Sequence, residues 1–428
     1  MAIFLIFILM FLLMFLGMDI FVSMAVAGSV YLLATGNGPI AIISNNMVNG
    51  LSNMSLLCIP FFILVGELMN ISGMTDRTLK FALFFIGKIR GALAHACIVV
   101  NVIFSLVSGS APADAAAISP IMLPQMKKEG YDEEFSAALN AAAAILGPII
   151  PPGIPMVFLA LITNLSIGRL FLGAMIPGLI MAGALHILVV VKIRKMNLVS
   201  RNDSPTLKGF WAVLRESSLS LIAPIIIIAG VISGIATITE IAILATAYVL
   251  FVGIFVYRTI NIENMIEVFK KTVRFSATIM ALFAVAGIFS YLLAVEGLGV
   301  ALEKLIIGQN FSPFMFLLLI NIFFLLIGMI MDATPAMLIF VPLLLPIAIK
   351  LGIDPTHFGI VVISNLMIGL ITPPVGGLLF ILSKISSISF ERLVKASFPF
   401  VGALLVSLVI ITYVPWVVTF LPNLVFGG

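Results

Sequence analysis

Residues 1–18 carry no charged side chain, and stretches of similar length and character recur to the end of the chain. Such runs admit few folds. Where about 30 Å of hydrocarbon replaces water, every backbone amide and carbonyl must be satisfied within the protein, and an α-helix does so inside one segment of about 20 residues. The runs are too long and too uniform for the alternating segments of about ten residues that build a membrane β-barrel. Hydrophobic residues make up 62% of the 428-residue chain and charged residues 9%, against about 25% charged in soluble proteins. The predicted fold is an all-α polytopic membrane protein in a lipid bilayer. A net charge of +4 gives no argument for a nucleic-acid partner.

Full spans are expected at about 1–16, 20–35, 55–72, 134–165, 170–191, 218–236, 240–257, 275–295, 355–383 and 397–420. The first has neither the basic n-region nor the small-residue cleavage site of a signal peptide, so it reads as a retained span. Cys58 and Cys97 lie in apolar segments, which argues against a disulfide framework, and His95, His186 and His357 have no ligand spacing. Residues 91–128 and 313–350 behave differently from the spans. Each is two apolar runs joined by small and polar residues, Ser108-Gly-Ser-Ala-Pro-Ala-Asp114 and Gly328-Met-Ile-Met-Asp332-Ala-Thr-Pro335.

The placement of Lys and Arg sets the orientation. A polar loop at 192–217 holds Lys192, Arg194, Lys195, Arg201, Lys208 and Arg215, and a basic stretch at 258–274 holds Arg258, Lys270, Lys271 and Arg274. Both are expected in the cytoplasm. Counting spans back from Lys192 puts Lys127 and Lys128 there too. With Lys88 and Arg90 also basic, residues 91–128 enter and leave on one side as a re-entrant hairpin. Counting forward from Arg274 opens the second hairpin to the outside, and places both termini outside.

A shift of 222 residues superimposes the chain on itself. It pairs Pro120 with Pro342, Pro124 with Pro346, Gly130 with Gly352, Asp132 with Asp354, Gly147 with Gly369, Pro151 with Pro373 and Pro152 with Pro374. Two similar halves of opposite orientation, each with broken segments in matching places, form the inverted-topology repeat of secondary transporters.

A helix broken inside a bilayer leaves amides and carbonyls unpaired, at several kcal/mol each, unless protein, water or an ion satisfies them. Four breaks are expected: the two hairpin tips, Gly147-Pro-Ile-Ile-Pro-Pro-Gly153, and Gly369-Leu-Ile-Thr-Pro-Pro-Val-Gly-Gly377. Each tip paired with its neighbouring break makes an oxygen-rich pocket suited to a hard cation such as sodium. In the first, Ser108, Gly109, Ser110 and Asp114 face the carbonyls around Gly147 and Pro148. In the second, Gly328, Asp332 and Thr334 face Gly369 and Thr372. Aspartate inside a bilayer costs about 2.5–3.5 kcal/mol on insertion scales, so Asp114 and Asp332 are the strongest functional candidates. The prolines Pro151, Pro152, Pro373 and Pro374 are candidates for substrate binding or coupling, as is Glu240 in its apolar surroundings. Glu67 is either functional or helix-bracing. Asn140 and Asn365 either touch substrate or bond between helices. Lys80, Lys127, Lys128, Glu129, Asp132, Glu133 and Glu134 read as solvated faces.

The segments Ile59-Pro-Phe-Phe-Ile-Leu-Val-Gly-Glu67, Ser108-Gly-Ser-Ala-Pro-Ala-Asp114, Gly147-Pro-Ile-Ile-Pro-Pro-Gly-Ile-Pro155, Ile235-Ala-Thr-Ile-Thr-Glu240, Gly328-Met-Ile-Met-Asp332 and Gly369-Leu-Ile-Thr-Pro-Pro-Val-Gly376 resemble the large membrane subunit of the tripartite ATP-independent periplasmic (TRAP) transporters. They stand in that family's order and cover nearly the whole chain. At 235–240 the chain departs from the family's usual Phe-Thr-Pro-Thr-Glu, with Ala236 and Ile238 in place of the Phe and Pro. The resemblance implies a sodium-coupled importer of the bacterial inner membrane, moving two or more sodium ions; the side outside the cytoplasm, where the charge count places both termini, is then the periplasm. It implies a small four-helix membrane subunit and a periplasmic substrate-binding protein as partners. It also implies an organic acid anion as substrate, of the C4-dicarboxylate, sialic acid, keto acid or sugar acid kind, and the general look is closest to the sialic-acid systems. The implied mechanism is an elevator, with transport elements at 91–168 and 313–384 moving against a scaffold of 1–90, 169–312 and 385–428.

An alternative is a stand-alone divalent-anion/sodium symporter. An intramembrane aspartyl protease would also pair two membrane aspartates, but it needs Gly-x-Gly-Asp, and neither Asp114 nor Asp332 follows a glycine. A channel needs no matched pair of hairpins. The expected protein is a transporter and not an enzyme.

Overall fold

A computed structural model describes residues 2–35, 41–84, 91–194, 196, 198 and 207–427. Lys88, Arg90, Lys195 and Arg201, and the side chain of Lys208, used above for orientation, lie outside what it describes. The regular elements among the described residues are all helices. In order the helices are α1 (Ala2–Phe15), α2 (Ile20–Thr35), α3 (Ala41–Leu51), α4 (Cys58–Ile71), α5 (Met74–Phe84), α6 (Ala92–Ser108), α7 (Ala111–Lys128), α8 (Glu133–Ala144), α9 (Ile154–Thr163) and α10 (Ile167–Ile193). There follow α11 (Leu207–Ser233), α12 (Ile238–Phe251), α13 (Ile262–Val295), α14 (Leu298–Gly308), α15 (Pro313–Gly328), α16 (Ala333–Lys350), α17 (Pro355–Gly369), α18 (Gly377–Ser386), α19 (Phe390–Tyr413) and α20 (Trp416–Phe426). A 3-10 turn (Met54–Leu57) leads into α4, and a π-helical turn (Val252–Val256) closes α12.

Among the described residues seven helical stretches are long and apolar enough to cross a membrane, and this is a multi-pass membrane protein. The ten expected spans are corrected in several places. Helices α1 and α2, with 14 and 16 residues, reach about 21 and 24 Å at 1.5 Å per residue, short of the hydrocarbon core. Residues 134–165 and 355–383 are each two helices flanking an irregular break, α8 with α9 and α17 with α18. The expected polar loop at 192–217 is helical from Leu207, and the basic stretch at 258–274 is helical from Ile262. With 34 residues, α13 runs about 51 Å, so its charged first turns extend one continuous rod. The span expected at 397–420 ends at Tyr413, and α20 follows as a separate element. Helix α3 was not expected from its polar sequence. It closes on α13 where Gly50 lies against the Phe283 carbonyl and Gly287 against the Asn46 carbonyl, the small-residue contact that lets membrane helices approach backbone to backbone.

The 222-residue repeat is visible in the helices. α7 and α16 begin and end in the same register, as α8 and α17 begin in register. Gly130 and Gly352, both at positive φ, end α7 and α16 with the same bond, Tyr131 N to Met126 O at 3.1 Å and Ile353 N to Ala348 O at 3.0 Å. Only glycine takes that left-handed dihedral without strain, which is why the sequence match falls there.

Helices α8 and α17 form the centre. Every residue from Ser136 to Ala144 and from Thr356 to Gly369 is buried. The post-break helices exchange partners: α9 packs on α16 and α18 on α7, so each half completes the other. Helices α10 and α19 pack on this centre as well, α19 against α8 and α10 against α17. A second group is built from α2, α3, α4, α12 and α13, with α11 packed on α5 and α12.

Candidate functional site

In the first half the tip between α6 and α7 is pressed against the break between α8 and α9. Gly109, at φ 58, ends α6, and a Cβ there would overlap the Pro152 carbonyl oxygen. Its own carbonyl accepts from Ile154 N at 3.3 Å. The break curls on itself, with the Pro148 carbonyl against Gly153. It contains a cis Pro151–Pro152 bond, and residues 147–153 are wholly buried. Ser110 begins α7, and Asp114 lies one turn in. Ser108 Oγ donates to Asp114 Oδ1 and accepts from Ser110 N at 3.2 Å. Asp114 Oδ2 is buried without a hydrogen-bond partner, directly against Gly147, where a Cβ would overlap it. The structure thus brings Ser108, Gly109, Ser110, Asp114, Gly147, Pro151 and Pro152 into one place. A buried carboxylate oxygen lacking a donor is costly unless a proton, a water or a cation satisfies it.

The second half repeats the crossing with different chemistry. The ends of α15 and α17 meet at Gly328 and Gly369, where a Cβ on Gly369 would overlap the Gly328 carbonyl carbon. Val375 N donates to Met329 O at 3.3 Å, as the break does to the tip in the first half. Thr372 is buried, its hydroxyl donating to Ile368 O at 2.7 Å. Pro373–Pro374 is cis, and Pro374 is exposed where Pro152 is buried. Asp332 is the N-cap of α16, exposed, with Oδ1 accepting from Ala333 N at 2.8 Å. Thr334 is half-buried one residue into α16. The repeat register pairs Asp332 with Ser110 and Asp114 with Ala336. The two aspartates are therefore not equivalents: one is sealed beneath its tip and the other stands at the mouth of its own.

Three expected site residues lie elsewhere. Asn140 is buried, donating to Ser119 Oγ at 2.7 Å and accepting from Asn101 Nδ2 at 3.0 Å. Asn365 donates to Asn321 Oδ1 at 2.7 Å and Val361 O at 2.8 Å. Both amides tie helices together, the second of the two roles expected for them. Glu240 is exposed and closes a capping box at the start of α12, its Oε2 accepting from Thr237 N at 2.7 Å and Thr237 Oγ1 at 2.8 Å. Helix α12 packs on α4 and α11, away from both crossings. A carboxylate three residues after a threonine is an N-terminal helix signature in its own right, and this signal in Thr237-Ile-Thr-Glu240 outweighs the apolar context.

One feature of the site has no counterpart in the sequence expectations, a cavity. About 590 Å³ lies between the first tip and the second group of helices. Ser108, Ser110 and Pro112 line one wall, Phe62, Glu67 and Asn70 of α4 another, and Lys271, Arg274 and Thr278 of α13 a third. Helical spacing is the signal that points to it, since positions 271, 274 and 278 share one face. The density of charge in 258–274 masks that signal, because it gives a helical stretch the composition of a loop.

The chain matches the family model of the tripartite ATP-independent periplasmic transporter, DctM component, over residues 7–417. It is 35% identical over 411 residues to the sialic acid TRAP transporter large permease protein SiaM of Vibrio cholerae, covering 96% of each chain. It is 36% identical over 448 residues to the C4-dicarboxylate TRAP transporter large permease protein DctM of the same organism, covering 100% of this chain and 99% of that one. Among solved structures, the YdaH transporter of Alcanivorax borkumensis matches with a TM-score of 0.60 at 16% identity, over 88% of this chain and 87% of that one. That likeness speaks to the fold alone.

Proposed function

The chain belongs to the DctM component family of the tripartite ATP-independent periplasmic transporters, and from that premise we propose that it performs sodium-coupled import of a small organic acid anion across the bacterial inner membrane. The observation that carries the coupling is the Asp114 carboxylate, sealed between tip and break with Oδ2 lacking a partner. Sodium, moved as cargo, takes hydroxyl, carboxylate and carbonyl oxygens, and Ser108, Asp114 and the carbonyls about Gly147 and Pro148 are such donors. In the second half Asp332, Thr334, Gly369 and Thr372 supply the same ligand classes, with Gly328 allowing the approach. Relatives named for sialic acid and C4-dicarboxylates support an organic acid, delivered by a periplasmic binding protein beside a small membrane subunit.

The mechanism in this reading is an elevator. The two tip-and-break crossings form re-entrant hairpins of an inverted repeat and travel together, because the exchange of α9 and α18 between halves locks them into one body. Since α10 and α19 pack on α17 and α8, both belong with the moving body, and its boundaries lie beyond the residues 168 and 384 drawn from sequence. Helices α2, α3, α4, α12 and α13 make the fixed scaffold. Both termini are periplasmic.

The test is uptake into proteoliposomes under a sodium gradient, with and without the binding protein. Sodium-dependent uptake that requires the binding protein, and that is lost in Asp114→Ala with the protein still inserted, is the expected result. Wild-type uptake by Asp114→Ala refutes the sodium site. Efficient uptake of free substrate by the membrane part alone replaces the tripartite reading with a stand-alone symporter.

A further inference from the structure

The cavity beside the first tip has a charge arrangement that the sodium site does not use. Helix α13 presents Lys271, Arg274, Phe275 and Thr278 to it, residues three or four apart and therefore on one face. Two cations line the space against one carboxylate, Glu67. Arg274 has no acidic partner among the described residues, and Lys271 is held only by an exposed pair with Glu267 at 3.2 Å. Exposed pairs of this kind contribute little, so the ammonium is readily given to another anion. Opposite the cations stand Ser108 and Ser110 on the tip, with Phe62, Phe104 and Phe275 as apolar walls. A volume of about 590 Å³ falls within the range of about 300–1,000 Å³ typical of small-molecule sites. The charge is not a legacy of the repeat, because the positions matching Lys271 and Arg274 are Asn49 and Ser52.

We propose that Lys271 and Arg274 form a scaffold-borne anion subsite. It receives the acidic headgroup of a small organic anion, while the body of the ligand rests on the aromatic walls and its polar groups reach the serines of the first tip. This deepens the transport reading and rests on it. The cations belong to α13, in the scaffold, and the hydroxyls to the moving tip. The ligand is therefore bridged between them only while the tip stands beside α13, and motion of the tip separates the two halves of the site. Arg contributes a planar pair of donors matched to carboxylate or sulfonate, and Lys a mobile point charge.

The test places a cysteine at Thr278, on the same face, and compares its reaction with two methanethiosulfonate reagents of opposite charge, the sulfonatoethyl and trimethylammonioethyl compounds. Rates are normalised to those of free cysteine. The anionic reagent, itself a small organic sulfonate, is expected to react roughly tenfold faster than the cationic one, from two nearby charges in a partly aqueous cavity. Lys271→Gln with Arg274→Gln should abolish the preference, and Lys271→Gln with Arg274→Lys should restore part of it. Equal normalised rates in the parent, or a preference unchanged in the double variant, overturn the proposal. A transport arm separates this from the broader reading. If the otherwise unaltered chain carries out sodium-driven uptake, the double glutamine variant should raise KM about tenfold, the effect of a lost charge contact. Uptake with unchanged KM sinks the subsite and leaves the transport reading intact. If the unaltered chain shows no sodium-driven uptake, the transport reading fails, and the labelling preference alone decides whether the anion subsite stands.

Discussion

Alanine at Gly369 tests the crossing of α15 and α17 on which the proposed sodium pocket of the second half depends. A Cβ there would overlap the Gly328 carbonyl carbon and stand 2.6 Å from its Cα and 2.8 Å from its oxygen. All three are backbone atoms, so no change of rotamer relieves the overlap. Restoring a contact of about 3.5–4.0 Å requires the ends of α15 and α17 to part by about 1 Å. Overpacking costs about 1–3 kcal/mol, and unyielding partners put this case at the upper end. Gly402, within α19, is the control, because a Cβ there meets nothing within 4 Å. Alanine at Gly402 should stabilise by about 0.5–1 kcal/mol through helix propensity alone. The assay is the fraction of purified protein remaining monodisperse after heating. Gly369→Ala should melt below the parent, and Gly402→Ala at or above it. The displacement also exceeds the tolerance of about 0.2 Å expected of a metal site, so sodium-dependent uptake should fall in Gly369→Ala. If Gly369→Ala melts with Gly402→Ala and transports like the parent, the close crossing is not a constraint on fold or transport.

Asp332→Ala should lose sodium-dependent uptake while remaining inserted, and parental rates would remove this residue from the site. Glu240→Gln keeps the acceptor that caps α12 and should leave the sodium dependence of uptake unchanged; a change in coupling would return Glu240 to the transport chemistry. Asn140→Ala removes the two bonds that tie Asn101 and Ser119 across helices, leaving each its bond within its own helix, to Cys97 O and Ala115 O; at about 0.5–1.5 kcal/mol per lost bond, heat stability should fall while the KM of the surviving protein holds. Cysteine pairs joining the first tip to α13 should trap two distinct depths of the tip, and a single depth would contradict an elevator.

Much of the site was legible because glycine and proline act locally. Gly147, Gly369, Gly109 and the paired prolines mark positions where a regular helix cannot continue or a backbone must come close, and each is found at a break or a crossing. Asp114 was legible because a carboxylate is too costly within an apolar segment to persist there without a partner or a role. Asp332 was only half legible. The sequence shows an aspartate at each tip, but the repeat register sets Asp332 opposite Ser110, so the two need not share one environment. For Glu240 the apolar neighbours suggest burial, whereas the side chain is exposed and turns back on Thr237 at a helix start.

By itself the amino-acid sequence determined an all-helical membrane chain, its two similar halves and the places where helices break, because hydrocarbon leaves the backbone no alternative and proline and glycine dictate dihedrals one residue at a time. Only the tertiary structure decided that α9 and α18 exchange halves, that α10 and α19 join the central body, and that Asp114 is closed in against Gly147 while Asp332 is not. It also decided that Lys271 and Arg274 face the first tip across a cavity. These are contacts between segments far apart in the chain. They follow from which surfaces fit together in space, and no local pattern of residues encodes that.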